Sequence, residues 1–218
     1  MPGPVSDRVE SARKAVPESC YRCGHGLVSP AFCFDCEAVQ PLSSSADFFS
    51  LFGLPRAYEI DPKALDAAYE RLSFALHPDF QQALDLGAGS SGKAETQRIA
   101  ASLNEGYRVL RSERERGAYL LGLLAAGAEF DKRELPPGFL QQMFVLQEEV
   151  DGLGEDAPPE ARRALRAGVA ARLAETLAER ARLFRAAGPA PAPERLQAIQ
   201  SNLNQEAYLH RLLERLAA

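Results

Sequence analysis

Two amphipathic segments separated by a His-Pro-Asp tripeptide constrain the fold of this chain most strongly. In the first segment apolar residues recur every three or four positions, at Leu65, Ala68, Tyr69, Leu72 and Leu76. The second segment repeats the pattern at Ile99, Leu103, Tyr107 and Leu110. Such spacing places one apolar stripe along a helix, and a proline after the first stripe cannot continue that helix. The pattern therefore predicts two helices that pack along their stripes, joined by a loop that begins at His77, Pro78 and Asp79.

The composition excludes several classes of protein. Among 218 residues, 30 are acidic and 25 basic, which gives a formal net charge of -5. No segment has the basic excess that nucleic-acid or anionic-membrane binding usually requires, and no apolar run is long enough to span a bilayer. Residues 1–18 are polar and resemble neither a secretory signal nor a transit peptide. We therefore expect a cytoplasmic protein with no nucleic-acid or membrane partner.

All four cysteines lie between Cys20 and Cys36, as Cys20, Cys23, Cys33 and Cys36. Each pair with two intervening residues can form a knuckle that presents two sulfur atoms to one point, and two knuckles complete a tetrahedral metal site. Thiolates favour zinc, or iron in a reducing cell. Four protein ligands leave no open position, so the predicted metal is structural. The segment is too short to fold by apolar burial, and metal binding is expected to supply its folding free energy.

Three other interpretations of the cysteines were weighed. A redox dithiol needs only one such pair and normally accompanies a βαβ pattern, which is absent from this sequence. A nucleic-acid-binding zinc ribbon would need basic residues, and only Arg22 lies inside the cluster. His25 could replace one cysteine as a ligand, although four cysteines already complete the site. The structural four-cysteine zinc site is favoured over all three.

The sequence predicts a mainly α fold in four parts. These are a disordered N-terminus at 1–18, a zinc-binding module at 19–40, a helical hairpin within 46–128 and a three-helix bundle at 135–218. Helices are predicted at about 47–53, 62–76, 93–111, 112–126, 137–151, 159–187 and 193–217, with a flexible loop at 85–92 and no strand outside the cysteine segment. We expect the zinc module to be separate from the helical domains, so that removing residues 1–40 leaves their helix content intact.

The predicted helix at 137–151 carries two apolar groups. Four residues share one narrow face at 100° per residue: Phe139, Met143, Leu146 and Val150. Leu140, Phe144 and Val145 point elsewhere, on an arc with Gln141 and Glu148. One interpretation is a deeply buried helix with a wide stripe. The other is an exposed apolar patch with a polar rim, which is typical of a partner-binding site.

The sequence resembles the HscB family, the J-domain co-chaperones of iron–sulfur cluster assembly. The resemblance covers about residues 47–218, and the cysteine segment is similar to the N-terminal zinc module of eukaryotic-type members. The matching motifs are Asp47-Phe-Phe-Ser-Leu-Phe-Gly-Leu-Pro55, His77-Pro-Asp-Phe80, Asn104-Glu-Gly-Tyr107, Arg116-Gly-Ala-Tyr-Leu-Leu121 and Phe139-Leu140. The resemblance identifies the segment 46–128 as a J-domain.

The resemblance implies two partners. A DnaK/HscA-type ATPase chaperone would bind His77, Pro78 and Asp79, and its ATPase would be stimulated. An iron–sulfur scaffold protein would bind the C-terminal bundle, and cluster transfer would follow. By resemblance, the scaffold-binding residues are Leu140, Phe144 and Glu148, with Tyr208 of the last helix. Val145 departs from the family's usual residue, but it lies on the same face and is assigned to the same surface.

Other function classes were also considered. The three histidines lie in separate contexts and no catalytic motif is present, so we expect neither enzymatic activity nor an organic cofactor. A general J-protein or zinc-ribbon adaptor that delivers another client to the chaperone is the main alternative. Basic clustering would favour that alternative, and the sequence shows none. A purely structural helical protein is the third choice, against which the His-Pro-Asp loop argues.

Overall fold

A computed structural model describes most of the chain, in the five ranges 19–43, 45–77, 79–80, 90–154 and 157–217. The predicted disordered N-terminus, residues 1–18, lies outside these ranges. Contacts divide the chain into two compact units, one up to Glu115 and the other from Arg116 onward. The finer domain limits expected from the sequence stay predictions.

The mainly α fold class is confirmed. The described residues form one two-stranded antiparallel sheet, with strands β1 (Phe32–Cys33) and β2 (Ala38–Val39), and both strands lie in the cysteine segment. The helices are α1 (Phe48–Leu51), α2 (Pro62–Ala75), α3 (Ser90–Arg111), α4 (Glu113–Leu124), α5 (Phe139–Gly152), α6 (Pro159–Ala187) and α7 (Pro193–Arg215).

One helix begins earlier than expected. The loop predicted at 85–92 ends by Ser90, where α3 starts, and residues 81–89 lie outside the described residues. Glycine costs about 1 kcal/mol relative to alanine in the interior of a helix, but the first helical turn tolerates serine and glycine because its N–H groups have no intrahelical partner. The predicted loop therefore includes three residues, 90–92, that belong to α3.

Helix α1 is short and is held by its caps. Asp47 accepts a hydrogen bond from the backbone N–H of Ser50 at 2.9 Å, and the Ser50 hydroxyl accepts one from the Asp47 N–H at 3.1 Å. This reciprocal pair is a capping box, which satisfies two N–H groups that the helix itself cannot. Asp47 is buried and forms an ion pair with Arg56. The same side chain thus caps α1 and anchors the turn that leads to α2.

Helix α3 forms the centre of the first unit, because both α1 and α2 pack against it. Three residues of the predicted stripe, Ile99, Leu103 and Leu110, are buried, and the fourth, Tyr107, is half-buried; Val109, which the stripe did not include, is buried as well. Gly106 allows α1 to approach, since a Cβ atom at this position would lie 2.9 Å from Cδ1 of Phe48 and 3.1 Å from Cε2 of Phe52. A larger residue would push α1 away from the core.

Helices α2 and α3 are also joined by polar contacts. The rings of Tyr69 and Tyr107 stack with centroids 4.1 Å apart. The Tyr107 hydroxyl donates to Asp66 at 2.9 Å, and Arg111 donates to the same carboxylate. The hydrogen bonds from Arg111 and Tyr107 hold the pKa of Asp66 below its usual range. These contacts, with the buried stripes, fix the hairpin whose connection begins at His77.

The second unit contains a bundle of α5, α6 and α7. Its core is one cluster of residues from all three helices: Phe139, Met143, Leu146, Val150, Val169, Leu209, Leu212 and Leu216. Four of these eight residues come from α5, at the positions that the sequence assigned to its narrow face. The segment before α5 is held to α7 by Asn204, whose amide donates to the carbonyl groups of Lys132 and Glu134.

Helices α6 and α7 are joined by a buried polar network that no sequence pattern indicated. Arg180 is fully buried, and its Nη1 lies 2.8 Å from Oε2 of the buried Glu206, a close charge contact without hydrogen-bond alignment. Its Nε donates to Asn202 at 2.9 Å, and Asn202 donates to the Thr176 carbonyl at 2.9 Å. Charged groups are costly to bury unless they are paired, so this network fixes one register between the two helices.

Arg180→Met should lower the free energy of unfolding by about 3–5 kcal/mol, because it leaves the Glu206 carboxylate buried without its cation. The double variant Arg180→Met/Glu206→Leu removes both charges and should recover most of that loss. Urea unfolding followed by circular dichroism measures both effects. The matched control is Arg182→Met, which breaks an exposed pair with Glu179 and should cost less than about 1 kcal/mol. A double variant as unstable as the single one would contradict this account.

Candidate metal centre and interaction surfaces

The four cysteine sulfur atoms converge on one point, all within 4.8 Å of one another. The Cys20 and Cys36 sulfurs are 3.6 Å apart, and those of Cys23 and Cys33 are 3.7 Å apart. Two knuckles produce this convergence. In the first, the Gly24 N–H donates to the Cys20 carbonyl at 3.0 Å, while in the second Cys33 ends strand β1. The structure therefore brings together all four residues that the sequence assigned to a metal.

The sulfur spacing fits a tetrahedral metal ion. Zinc–sulfur bonds of about 2.3 Å place tetrahedral sulfur atoms about 3.8 Å apart. The shorter separations in the cluster are close to this value, and none of the four cysteines is in a disulfide. Cys20 and Cys33 are buried and Cys23 is exposed, so the site lies at the edge of its segment. A closed set of four soft ligands suits a structural ion rather than a catalytic one.

The thiols need a cation to ionise together. Burial opposes ionisation of Cys20, but hydrogen bonds from the backbone N–H groups of Cys23 and Arg22 outweigh it and lower the pKa of Cys20 to about 6. Burial, together with the neighbouring thiols, raises the pKa of Cys36 to about 12. At neutral pH the cluster cannot hold four thiolates on its own, whereas a bound divalent cation would deprotonate its ligands.

Gln40 supports the first knuckle and was missed by the sequence analysis. Its buried side chain donates to the Cys20 sulfur at 3.3 Å and to the Ala38 carbonyl at 2.9 Å, and it accepts from the Tyr21 N–H at 3.1 Å. Partners of metal ligands orient those ligands and tune their basicity. The nearest imidazole, His25, has its Nδ1 atom 3.3 Å from the Cys23 sulfur, which is a hydrogen-bond contact with a ligand.

Protein purified without added metal should contain one zinc ion per chain, and Cys33→Ser should lose it because three thiolates bind zinc far more weakly than four. Elemental analysis by plasma mass spectrometry measures the content. His25→Ala is the matched control, since this residue lies beside the ligands without being one, and it should retain a full equivalent of zinc. A low zinc content that is the same in the parent and in Cys33→Ser would show that the cluster holds no zinc.

The cysteine segment packs against the helices of the first unit, while its expected separateness from the helical domains stays a prediction. The buried Ser29 hydroxyl donates to the carbonyl of Leu51 at the end of α1, at 2.7 Å. Leu42 lies just after the segment. Its N–H donates to the Glu95 carboxylate, and its carbonyl accepts from Arg98; both partners are on α3. These contacts use backbone groups and single polar side chains, which leave no periodic signal in the sequence.

The loop residues after α2 are available to a partner. His77 and Asp79 expose 59% and 87% of their side chains. The Asp79 N–H donates to Nδ1 of His77 at 3.3 Å, which holds the two residues in one turn. Pro78, the third predicted chaperone-binding residue, lies outside the described residues.

Helix α5 presents two faces. Phe139, Met143, Leu146 and Val150 are buried in the bundle, whereas the residues of the second apolar group, Leu140, Phe144 and Val145, are 58%, 63% and 50% exposed. Glu148 is exposed as well. Tyr208 of α7 is partly exposed and packs edge-on against Phe139, with centroids 5.8 Å apart. We name Leu140, Phe144, Val145, Glu148 and Tyr208 the α5 surface.

This exposure decides between the two interpretations of α5. Large apolar side chains on a helix that has already buried one full stripe make a contiguous patch, and such patches mark interaction surfaces. The wide buried stripe is therefore wrong, since three of its members lie in solvent.

No helix in the described part of the chain is long and apolar enough to cross a bilayer.

The fold is that of the HscB class of co-chaperones. Human co-chaperone protein HscB superposes with a TM-score of 0.68 at 23% identity, over 91% of this chain and 96% of the human one. No family model matches the sequence.

Individual relatives agree with this class. The iron–sulfur cluster co-chaperone protein HscB homologue of Arabidopsis thaliana is 29% identical over 134 residues, which are 60% of this chain and 50% of the relative. The co-chaperone protein HscB homologue of Cupriavidus taiwanensis is 39% identical over 111 residues, 48% of this chain and 60% of that one. The matches thus span about half to three fifths of the relatives' length. The resemblance to HscB proteins read from the motifs is confirmed.

Proposed function

We propose that this protein is a co-chaperone of iron–sulfur cluster assembly, with separate surfaces for an ATPase chaperone and for a scaffold protein. The observation that carries the proposal is the exposed α5 surface, in a chain that also exposes His77 and Asp79 at the end of α2. Neither feature is explained by the packing of its own unit. The similarity to HscB proteins supports the same conclusion from independent data.

The His-Pro-Asp loop would act on a DnaK/HscA-type ATPase. The Asp79 carboxylate is suited to a charge-assisted hydrogen bond with an arginine of the partner, and Pro78 would restrict the backbone of the loop. Such a contact performs no chemistry itself. It would favour the conformation of the ATPase that hydrolyses ATP, which is a shift in the partner's equilibrium. We accordingly assign no enzymatic activity to this chain.

The α5 surface would bind the scaffold protein. Interface energy concentrates in a few large apolar residues with a polar rim around them. Leu140 and Phe144 are one helical turn apart and would serve as anchors, while Glu148 lies one turn further along the same face. Tyr208 would extend the surface onto α7.

The cysteine site would hold structural zinc, and the cluster under assembly would be cargo rather than a resident cofactor. Because four reduced cysteines must stay unpaired to bind the metal, we propose a reducing compartment, the cytoplasm.

Asp79→Asn and His77→Gln should each reduce stimulation of the partner ATPase at least about tenfold, because each removes an exposed recognition group. Steady-state ATP hydrolysis with and without the variants measures the effect. Melting temperatures should stay unchanged, since both side chains are exposed. Glu129→Gln, which neutralises an exposed carboxylate of the second unit, is the control and should stimulate normally. Normal stimulation by Asp79→Asn would remove the proposed mechanism.

The double variant Leu140→Ala/Phe144→Ala should lose scaffold binding with little change in stability, because both side chains lie in solvent before the partner covers them. Isothermal titration against the scaffold and thermal unfolding give the two readouts. Met143→Ala on the same helix is the matched control. It is buried and should lose about 2–5 kcal/mol of stability. If the double variant is markedly destabilised but still binds the scaffold, Leu140 and Phe144 act in the packing of the bundle and not in partner binding.

A further inference from the structure

The second knuckle of the metal site touches helix α2 through a single aromatic ring. Phe34 lies between the ligands Cys33 and Cys36, and its ring is 4.7 Å from Cζ of Arg71 on α2. A guanidinium at this distance is attracted by the negative face of the ring. Phe34 is also held edge-on by the buried Phe32, with centroids 5.1 Å apart. The position of the ring therefore depends directly on how the two ligands are held.

A second contact lies at the end of α1. Gly53 adopts φ +66°, and a Cβ atom at this residue would lie 2.7 Å from the Val28 carbonyl oxygen. Only glycine allows both this conformation and this approach. Nearby, Ser29 binds the Leu51 carbonyl, as described above, and its hydroxyl also accepts from the Ala31 N–H at 3.3 Å. The first unit is thus built to receive the cysteine segment at two separate places.

We propose that the metal site and the helical hairpin are energetically linked, so that metal binding stabilises α2 and Arg71 of α2 raises the affinity for the metal. The segment from Cys20 to Gln40 has a small buried core, in which Ala31, Phe32 and Ala38 accompany the buried Cys20 and Cys33. A bound ion would add to the folding free energy of this segment. Without the ion, the ring of Phe34 and the Ser29 hydroxyl are held less firmly, which weakens the contact with Arg71 of α2 and the contact with Leu51 at the end of α1. Linkage is reciprocal: whatever the metal contributes to the hairpin, the hairpin contributes to metal affinity.

The decisive variant changes a residue that is not in the cysteine segment. Arg71→Ala should weaken zinc binding about two- to fivefold, the range expected for one exposed cation–π contact. Competition with a chromophoric chelator measures the affinity in the full chain. Lys63→Ala is the matched control, since it also removes an exposed cation from α2, and its zinc affinity should equal that of the parent. The effect of Arg71→Ala should vanish in a Phe34→Leu background, because the contact is already absent there.

Hydrogen exchange provides a readout in the opposite direction. Removal of zinc by a chelator should speed amide exchange in α2 and leave α6 of the second unit unchanged. Neither experiment uses the ATPase or the scaffold protein. The linkage can therefore be wrong while the proposed function is right, and the proposed function can be wrong while the linkage is right. Equal zinc affinities of the parent and Arg71→Ala, or identical exchange in α2 with and without zinc, would overturn the linkage. Persistence of the Arg71→Ala effect in the Phe34→Leu background would also overturn it.

Discussion

The convergence of four sulfur atoms determines how the first unit is assembled. Residues between Cys20 and Gln40 form a two-residue strand pair, an isolated bridge and two knuckles, and so small a segment usually needs a metal or another covalent or ionic constraint to fold. The pKa of Cys20 is lowered to about 6 and that of Cys36 is raised to about 12, so a bound cation would remove the conflict between these neighbouring thiols and would close both knuckles at once. The contacts with Leu51 at the end of α1 and with Arg71 of α2 would then come from a segment whose two knuckles are closed. The metal site would in this way support the helices from outside their core.

The two units obtain their specificity by different means. In the first, polar side chains join short segments: Asp47 caps α1, and Asp66, Tyr107 and Arg111 link α2 to α3. In the second, the Arg180–Glu206 pair lies inside the bundle. Apolar helices can slide by a turn at small cost in apolar burial, but the two charges of a buried pair come within contact distance in one alignment only. Apolar stripes supply the stability of the bundle, and the ion pair selects its register.

The sequence predicted what depends on periodicity and on strong local chemistry. The stripe of Leu65 and Leu72, the Asp61-Pro62 helix start and the four metal ligands were all identified before the structure, because each has a fixed spacing. The two faces of α5 were separated in the same way, although their exposure was left open. Contacts that join distant segments through one atom pair were missed, as with Ser29 and Leu51. The Arg180–Glu206 pair was also missed, since charged residues on helices are usually exposed.

The geometry of α5 has a consequence for how this protein can change over time. The residues that hold the bundle together and those that face outward alternate along one helix, yet no side chain belongs to both groups. Under the proposed function, selection for a stable fold and selection for partner recognition therefore act on different residues. The outward residues can be substituted as the partner surface changes, and these substitutions need not destabilise the fold. A single helix of fourteen residues can in this way keep its place in the bundle core while the surface that it exposes changes.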